Sequence, residues 1–115
     1  MGCDFSHGDL RMSYGGFAAL REKLAREAGL PLDKIGNDVD AVLRSGMDDP
    51  LVPLLATYDE HGGGQVAAKY CLALQRRIRE LAAQWSEYDH SRELAERLAH
   101  AVAEAAFLGE DFYWF

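Results

Sequence analysis

Hydrophobic residues recur at intervals of three and four along much of this chain, the spacing that places side chains on one face of a helix. The strongest such pattern predicts a helix over residues 65–86. Its apolar face, which we call the hydrophobic seam, consists of Cys71, Leu74, Ile78, Leu81 and Trp85. We expect the seam to be buried against neighbouring helices as the spine of the fold.

A second amphipathic helix is predicted over residues 14–28. Ser13 stands before it as an N-cap, a position where a hydroxyl accepts a free backbone N–H. Gly29 follows it as the residue that ends the helix, and Pro31 prevents the helix from resuming. The apolar face of this helix consists of Phe17, Leu20, Leu24 and Ala28.

A last helix is predicted over residues 92–107, after capping residues at Asp89–Ser91 and before Gly109. Six alanines in this stretch would let a neighbouring helix or a partner approach closely. They are Ala95, Ala99, Ala101, Ala103, Ala105 and Ala106.

Two shorter helices complete the predicted set. One lies near residues 38–44, in a stretch whose apolar residues are loosely spaced. The other covers residues 50–58, where the Asp49 carboxylate and Pro50 form a favourable helix start.

The chain ends in four consecutive aromatic residues, Phe112 to Phe115. They predict either an edge strand, paired with residues near Cys3–Phe5, or a plug on the core, and we favour the plug. The whole pattern predicts one mainly α domain over residues 1–115. It is a compact bundle of four to five helices, with a short strand pair between the termini as an option.

Composition and charge argue against several classes of function. The 115 residues carry a net charge of −7, whereas nucleic-acid binders normally present a basic face to the phosphates. We therefore expect no nucleic-acid partner. No apolar run reaches the roughly 18 residues of a membrane span, and the first residues lack a secretory signal, so we expect no membrane partner and a cytoplasmic location. Cys3 and Cys71 are expected to be reduced thiols.

The stretch 59–70 can be compared with the 12-residue loop of calcium-binding helix–loop–helix sites. With Asp59 at position 1, Gly64 falls on the turn glycine and Val66 on the aliphatic position 8. The ligand positions 3, 5 and 12 are occupied by His61, Gly63 and Tyr70, which supply no carboxylate. One interpretation of this stretch is a metal-responsive module with Asp59 and Glu60 as ligands. The other is a glycine-rich turn between two helices.

Three segments together carry a resemblance. They are Asp4–Ser6 leading to Gly15–Phe17, the run from Asp49 to Leu55 before an acidic glycine loop, and the long helix that contains Cys71. In these the chain resembles a group of small uncharacterised actinobacterial proteins. In that group the loop reads His-Ser-Asp-Cys-Asp-Gly-Glu, from which this sequence departs at Tyr58–Gly64. The resemblance implies no activity.

Other motifs give little support to an enzyme. The string His61–Gly64 matches the oxyanion-hole motif of lipases, but the G-x-S-x-G nucleophile motif of that fold is missing from the sequence. Cys3 and His7 are the only residues with a spacing typical of a zinc site. We therefore predict no catalytic residues and no cofactor.

The aromatic tail is the remaining candidate for a functional surface. Side chains alternate along an extended segment, so one or two of the four aromatics should be exposed. We predict an interface at Tyr113, Trp114 and Phe115, with the alanine-rich last helix as a second contact surface. The leading hypothesis is a non-enzymatic acidic domain that binds another protein, of unidentified kind, with a homodimer as one form of that binding. The alternative is the metal-responsive module.

Overall fold

The computed structural model describes residues 2–36, 38–56 and 63–115. In this part of the chain the helices are α1 (Tyr14–Glu27), α2 (Val39–Arg44), α3 (Val52–Leu55), α4 (Ala68–Ala82) and α5 (His90–Leu108). A short 3₁₀ turn covers Leu32–Lys34. The strands are β1 (Gly2–Asp4), β2 (Arg11–Ser13), β3 (Gly64–Val66) and β4 (Phe112–Trp114).

The hydrophobic seam is buried as predicted. Its five side chains are between 0% and 7% exposed, and α4 makes its most extensive contacts with α5. The helix itself is shorter than the predicted 65–86. Residues 64–66 are extended because they pair with β4, and the helix ends at Ala82, after which Trp85 turns back into the core.

The boundaries of the other two long helices follow the predicted caps. The hydroxyl of Ser13 accepts a hydrogen bond from the Gly16 N–H at 2.9 Å, and Gly29 ends the helix in the left-handed conformation, with φ +73°. At α5, the carboxylate of Asp89 accepts from the Ser91 N–H at 2.8 Å. Gly109 adopts φ +67° and ends that helix.

The two short helices differ in their agreement with the prediction. α2 agrees with the expected 38–44. α3 is a single turn instead of the two turns predicted over 50–58. The Asp49 carboxylate accepts the Leu51 N–H at 2.9 Å at the start of this turn, as predicted. Residues 57 and 58 of that prediction lie outside the described residues.

The aromatic tail is a strand with neighbours on both sides. β4 pairs antiparallel with β3, and Trp114 forms a bridge with Phe5, next to two backbone hydrogen bonds of 2.9 Å between Asp4 and Phe115. β1 in turn pairs antiparallel with β2, so the strands lie in the order β2–β1–β4–β3. The predicted pairing with the N-terminal segment is confirmed, but the favoured plug without strand pairing is wrong.

One face of this strand layer forms the core with the helices. Four rings meet there, with Phe17 edge-on to Phe5 at 5.1 Å and to Trp114 at 5.2 Å, and Phe112 stacked on Phe5 at 5.7 Å. The fold is mainly α, as predicted, and it carries two short antiparallel strand pairs where the sequence offered one pair between the termini as an option. Among the helices of the described residues, none has both the length and the hydropathy needed to cross a lipid bilayer.

Candidate functional site

The side chains of β4 and the residue after it divide between two faces of the sheet. Phe112 and Trp114 point into the core and are 0% and 4% exposed, whereas Tyr113 and Phe115 are 47% and 59% exposed. This follows from the two-residue period of a strand. The exposed rings of Tyr113 and Phe115 lie 5.9 Å apart at an interplanar angle of 31°. A pair of aromatic rings thus lies side by side on the surface opposite the core.

Polar groups lie beside this pair toward one end. Asp4 is opposite Phe115 across the β1–β4 pairing and opposite Arg11 across the β1–β2 pairing. The Arg11 Nε donates to Asp4 Oδ1 at 2.8 Å. This hydrogen bond, together with the charge of Asp4, raises the pKa of Arg11 above its ordinary value. Asp4 lies between Arg11 and Phe115, so this end of the surface carries a cation and a carboxylate paired with each other.

A second polar group lies at the other end, centred on Asp111. Its Oδ2 accepts from Gln65 Nε2 at 2.7 Å, and its Oδ1 accepts from the Ala68 N–H at 2.8 Å. The second bond caps the N-terminus of α4, where the local residue Ala67 has no side-chain acceptor. Asp111 therefore fixes β4 against α4 and places a carboxylate at this edge of the surface.

We define the outer face as the exposed side of the strand layer, with the aromatic pair at its centre and a polar group toward each end. Its members are Asp4, Arg11, Gln65, Asp111, Tyr113 and Phe115. An apolar aromatic centre with a polar rim is the usual composition of a protein-binding surface.

The three predicted interface residues do not lie on one surface in this structure. Tyr113 and Phe115 belong to the outer face, but Trp114 is buried among Phe5, Phe17 and Phe112. The inclusion of Trp114 is therefore corrected, because a buried ring cannot contact a partner. The alanine-rich α5 is likewise covered by the molecule itself, since Ala95, Ala99, Ala101 and Ala105 are fully buried.

The predicted metal ligands Asp59 and Glu60 lie outside the described residues. The described end of that loop consists of β3 and the first turn of α4. Within residues 2–36, 38–56 and 63–115 there is no group of three or more His, Cys, Asp and Glu side chains placed to hold a metal ion. Burial raises the pKa of the Cys3 and Cys71 thiols, which disfavours the thiolate that a metal requires.

A contact that the sequence did not predict joins Ser6, His7 and Glu110. The Ser6 hydroxyl lies 2.6 Å from His7 Nδ1, and His7 Nε2 lies 3.4 Å from Glu110 Oε1. The Ser6 oxygen also accepts the Tyr113 N–H at 3.0 Å, and the His7 ring faces Phe112. These bonds fasten the β1–β2 connection to the start of β4 and thereby support the outer face.

Shallow clefts lie in the surface of the described residues. One, of about 570 Å³, separates the β1–β2 connection from α5 and is lined by Arg11 of the outer face together with Glu93, Glu96 and Arg97. Within α5, Arg97 binds Glu93 at 2.8 Å and Glu96 binds Arg92 at 3.1 Å. Another, of about 630 Å³, lies beside the end of α1 and is mostly apolar.

Comparisons with protein-family models, with curated proteins and with solved structures find no match to this chain. The resemblance to the actinobacterial group therefore stays a prediction. Sequence reasoning also did not find Asp4, Arg11, Gln65 and Asp111. The polar–apolar–polar order of Arg11, Met12 and Ser13 was the available sequence signal for the first strand pair, and the structure places these residues exposed, buried and exposed.

Proposed function

We propose that this protein is a non-enzymatic binding domain that associates with another protein through the outer face. The observation that carries the proposal is the exposed pair of neighbouring rings, Tyr113 and Phe115, on the sheet surface opposite the core. Aromatic side chains are enriched among the residues that dominate binding energy at interfaces. Each ring removes a large apolar area from water when a partner covers it.

The position of the pair on the sheet supports this proposal. β4 is hydrogen-bonded to β3 on one side and joined to the N-terminal segment on the other. The backbone that carries Tyr113 and Phe115 is therefore held in place before a partner arrives. Less conformational entropy is lost on binding when the contact residues are already ordered.

The acidic charge contributes in a different way. The net charge of −7 keeps the free protein soluble and attracts partners whose binding surface is basic. Such long-range attraction changes the association rate more than the final affinity. We assign the affinity to the aromatic pair and the selection among partners to the surrounding charges.

Site-specific photo-cross-linking tests the proposal. A benzophenone amino acid replaces Tyr113 in one variant and Tyr88, which is 90% exposed in the turn before α5, in a matched control. Both variants are irradiated alone and in a lysate of the source cells. We expect discrete protein adducts at position 113 and none at position 88, and we expect Phe115→Ser to remove the adducts at position 113.

Adducts of equal intensity at both positions would show nonspecific collision and contradict the proposal. The same conclusion would follow if position 113 formed no adduct under either condition. Circular dichroism of each variant checks that the fold is retained, which we expect because both replaced side chains are exposed.

A further inference from the structure

We infer that the outer face binds an arginine side chain of its partner protein, with the guanidinium on the aromatic pair and hydrogen-bonded to a carboxylate of the face. This inference rests on the proposed function and specifies the chemistry of the partner. Arginine suits such a surface because its planar cation can lie on an aromatic ring and donate hydrogen bonds from its edge at the same time.

The two rings are accessible to a cation from outside the molecule. Tyr113 and Phe115 are 47% and 59% exposed, and their ring centroids lie 5.9 Å apart. In the core a cation of the chain itself lies over a ring, as Lys23 does over Trp85 at 4.5 Å. Among the described residues, no lysine or arginine lies over either ring of the aromatic pair. That position is therefore available to a partner.

A carboxylate lies near each ring because of the strand register. Asp4 is directly opposite Phe115, where the two residues exchange backbone hydrogen bonds of 2.9 Å. Residues directly opposite each other on antiparallel strands have Cβ atoms about 5 Å apart on the same face. Gln65 is opposite Tyr113 in the same way, and its amide donates to Asp111 at 2.7 Å. A guanidinium over either ring therefore has a carboxylate nearby.

These carboxylates can accept more hydrogen bonds than they receive within the chain. An ionised carboxylate has about four sites for donors. Asp111 is exposed and accepts one bond from Gln65 and one from the Ala68 N–H. Asp4, which is 42% exposed at its side chain, accepts one from Arg11. Both can therefore receive N–H groups of an arginine from outside.

The charges of the outer face favour a cationic ligand over an anionic one. The face contains two carboxylates, Asp4 and Asp111, and one cation, Arg11. Because Arg11 is paired with Asp4 at 2.8 Å, the negative charge is concentrated at the Asp111 end, beside Tyr113. The net charge of −7 extends this preference to the whole molecule. An arginine on Tyr113 that is bonded to Asp111 is therefore the favoured arrangement.

Binding of defined peptides, followed by the amide signals of the ¹⁵N-labelled protein, tests the inference. The probes are blocked pentapeptides of glycine with two residues that are both arginine, both lysine or both citrulline, which has the shape of arginine without its charge. We expect the arginine peptide to shift outer-face signals and to bind at least about fivefold more tightly than the citrulline peptide. The lysine peptide should also bind more weakly than the arginine peptide, because an ammonium does not stack.

Replacement of the rings locates the binding site. Tyr113→Ser should weaken binding of the arginine peptide by at least about fivefold, and a double variant that adds Phe115→Ser should lose the preference for arginine over citrulline. Tyr88→Ser is the matched control, because Tyr88 is 90% exposed and lies between two acidic residues, Glu87 and Asp89. It should leave the affinity unchanged.

Replacement of the charges gives effects of opposite sign. Asp111→Asn should weaken binding of the arginine peptide, while asparagine keeps an oxygen that can cap α4. Arg11→Gln should strengthen it, because it removes the cation of the face. Asp33→Asn and Arg26→Gln make the same changes in net charge beside the end of α1 and serve as controls. Equal effects of the controls would assign the changes to net charge and contradict the role of the outer-face charges.

The outcomes separate the inference from the proposed function. The inference is overturned if the arginine peptide binds no more tightly than the citrulline or lysine peptide, or if the double ring variant binds it as the wild type does. Cross-linking at position 113 then decides the proposed function independently. A discrete lysate adduct at this position would mean that the outer face binds a protein by other chemistry and that the proposed function stands. If no adduct forms, both fail.

Discussion

At the scale of single residues, the roles in the aromatic tail depend on which face of the strand each side chain occupies. The sequence predicts that one or two of the four rings are exposed, because side chains alternate. Which ones are exposed depends on pairing with Asp4 and with β3, and those residues are distant in sequence. The sequence therefore predicts Trp114 at the interface from its side-chain type, although the register of β4 places this ring in the core.

Replacement of Trp114 tests this placement in the core. Trp114→Ala should lower the free energy of unfolding by about 3–5 kcal/mol, because the ring leaves a cavity among three aromatic neighbours. Phe115→Ala, on the neighbouring exposed position, should cost less than about 1 kcal/mol. Urea denaturation of both variants gives the comparison, and equal losses would contradict the division of the strand into two faces.

Asp89 links stability to pH. Its carboxylate accepts from Lys23 and from the Ser91 N–H, and the hydrogen bond from Lys23 is the main reason that its pKa is lowered. A carboxyl group whose pKa is lowered in the folded state stabilises the folded protein at pH values above its unfolded-state pKa of about 3.9. This stability is lost as the pH falls through the folded-state pKa.

Asp89→Asn should therefore make the unfolding free energy less dependent on pH in the acid range, while asparagine still caps α5. Urea titrations between about pH 6 and pH 2 measure the slope. Asp33→Asn removes the same charge from the exposed 3₁₀ turn and serves as the control. An unchanged slope for Asp89→Asn would show that the Lys23 contact does not contribute.

At the scale of elements, the sequence predicts what depends on local spacing. It identifies α1, α2 and the hydrophobic seam because helix periodicity and caps lie within one segment. It largely misses the three-residue strands, and the predicted long helix therefore extends into β3. Each strand is stabilised by hydrogen bonds to another segment, and Gly64 is paired with Trp114, which no local pattern reveals.

The β1–β2 connection depends on a close approach to α5. A Cβ at Gly8 would lie 2.6 Å from the Ala101 Cβ, and Gly8 has φ +73°. Gly29 has the same φ with open space around it. Gly8→Ala should therefore cost clearly more than the roughly 1 kcal/mol expected for Gly29→Ala. Thermal unfolding of the two variants isolates the contact with Ala101, and equal shifts in Tm would disprove its importance.

The seam of α4 makes a second prediction at this scale. Ile78→Ala should lower the unfolding free energy by about 2–5 kcal/mol, because the side chain is fully buried. Leu72→Ala, on the exposed side of the same helix, should change it by less than about 0.5 kcal/mol. Similar values for both variants in urea denaturation would mean that the seam is not the spine of the fold.

At the scale of the whole molecule, one small strand layer does two things. Its inner face completes the core with α1, α4 and α5, and its outer face presents the aromatic pair between the Arg11–Asp4 ion pair and the Asp111 carboxylate. The proposed binding surface could be predicted from sequence only as far as its aromatic residues. Its charged residues come from the N-terminal hairpin and the C-terminal segment, which are separated by about a hundred residues in the chain and meet only in the fold.

Two-dimensional NMR of uniformly ¹⁵N-labelled protein, recorded alone and in an unlabelled lysate of the source cells, tests the outer face most directly as an association surface. We predict that the lysate shifts or weakens the amide signals of Arg11, Gln65, Asp111, Tyr113 and Phe115. The amide signals of Leu72 and Phe107 should remain constant. Changes confined to the last turn of α5, or a spectrum that is the same in both conditions, would contradict association through this face.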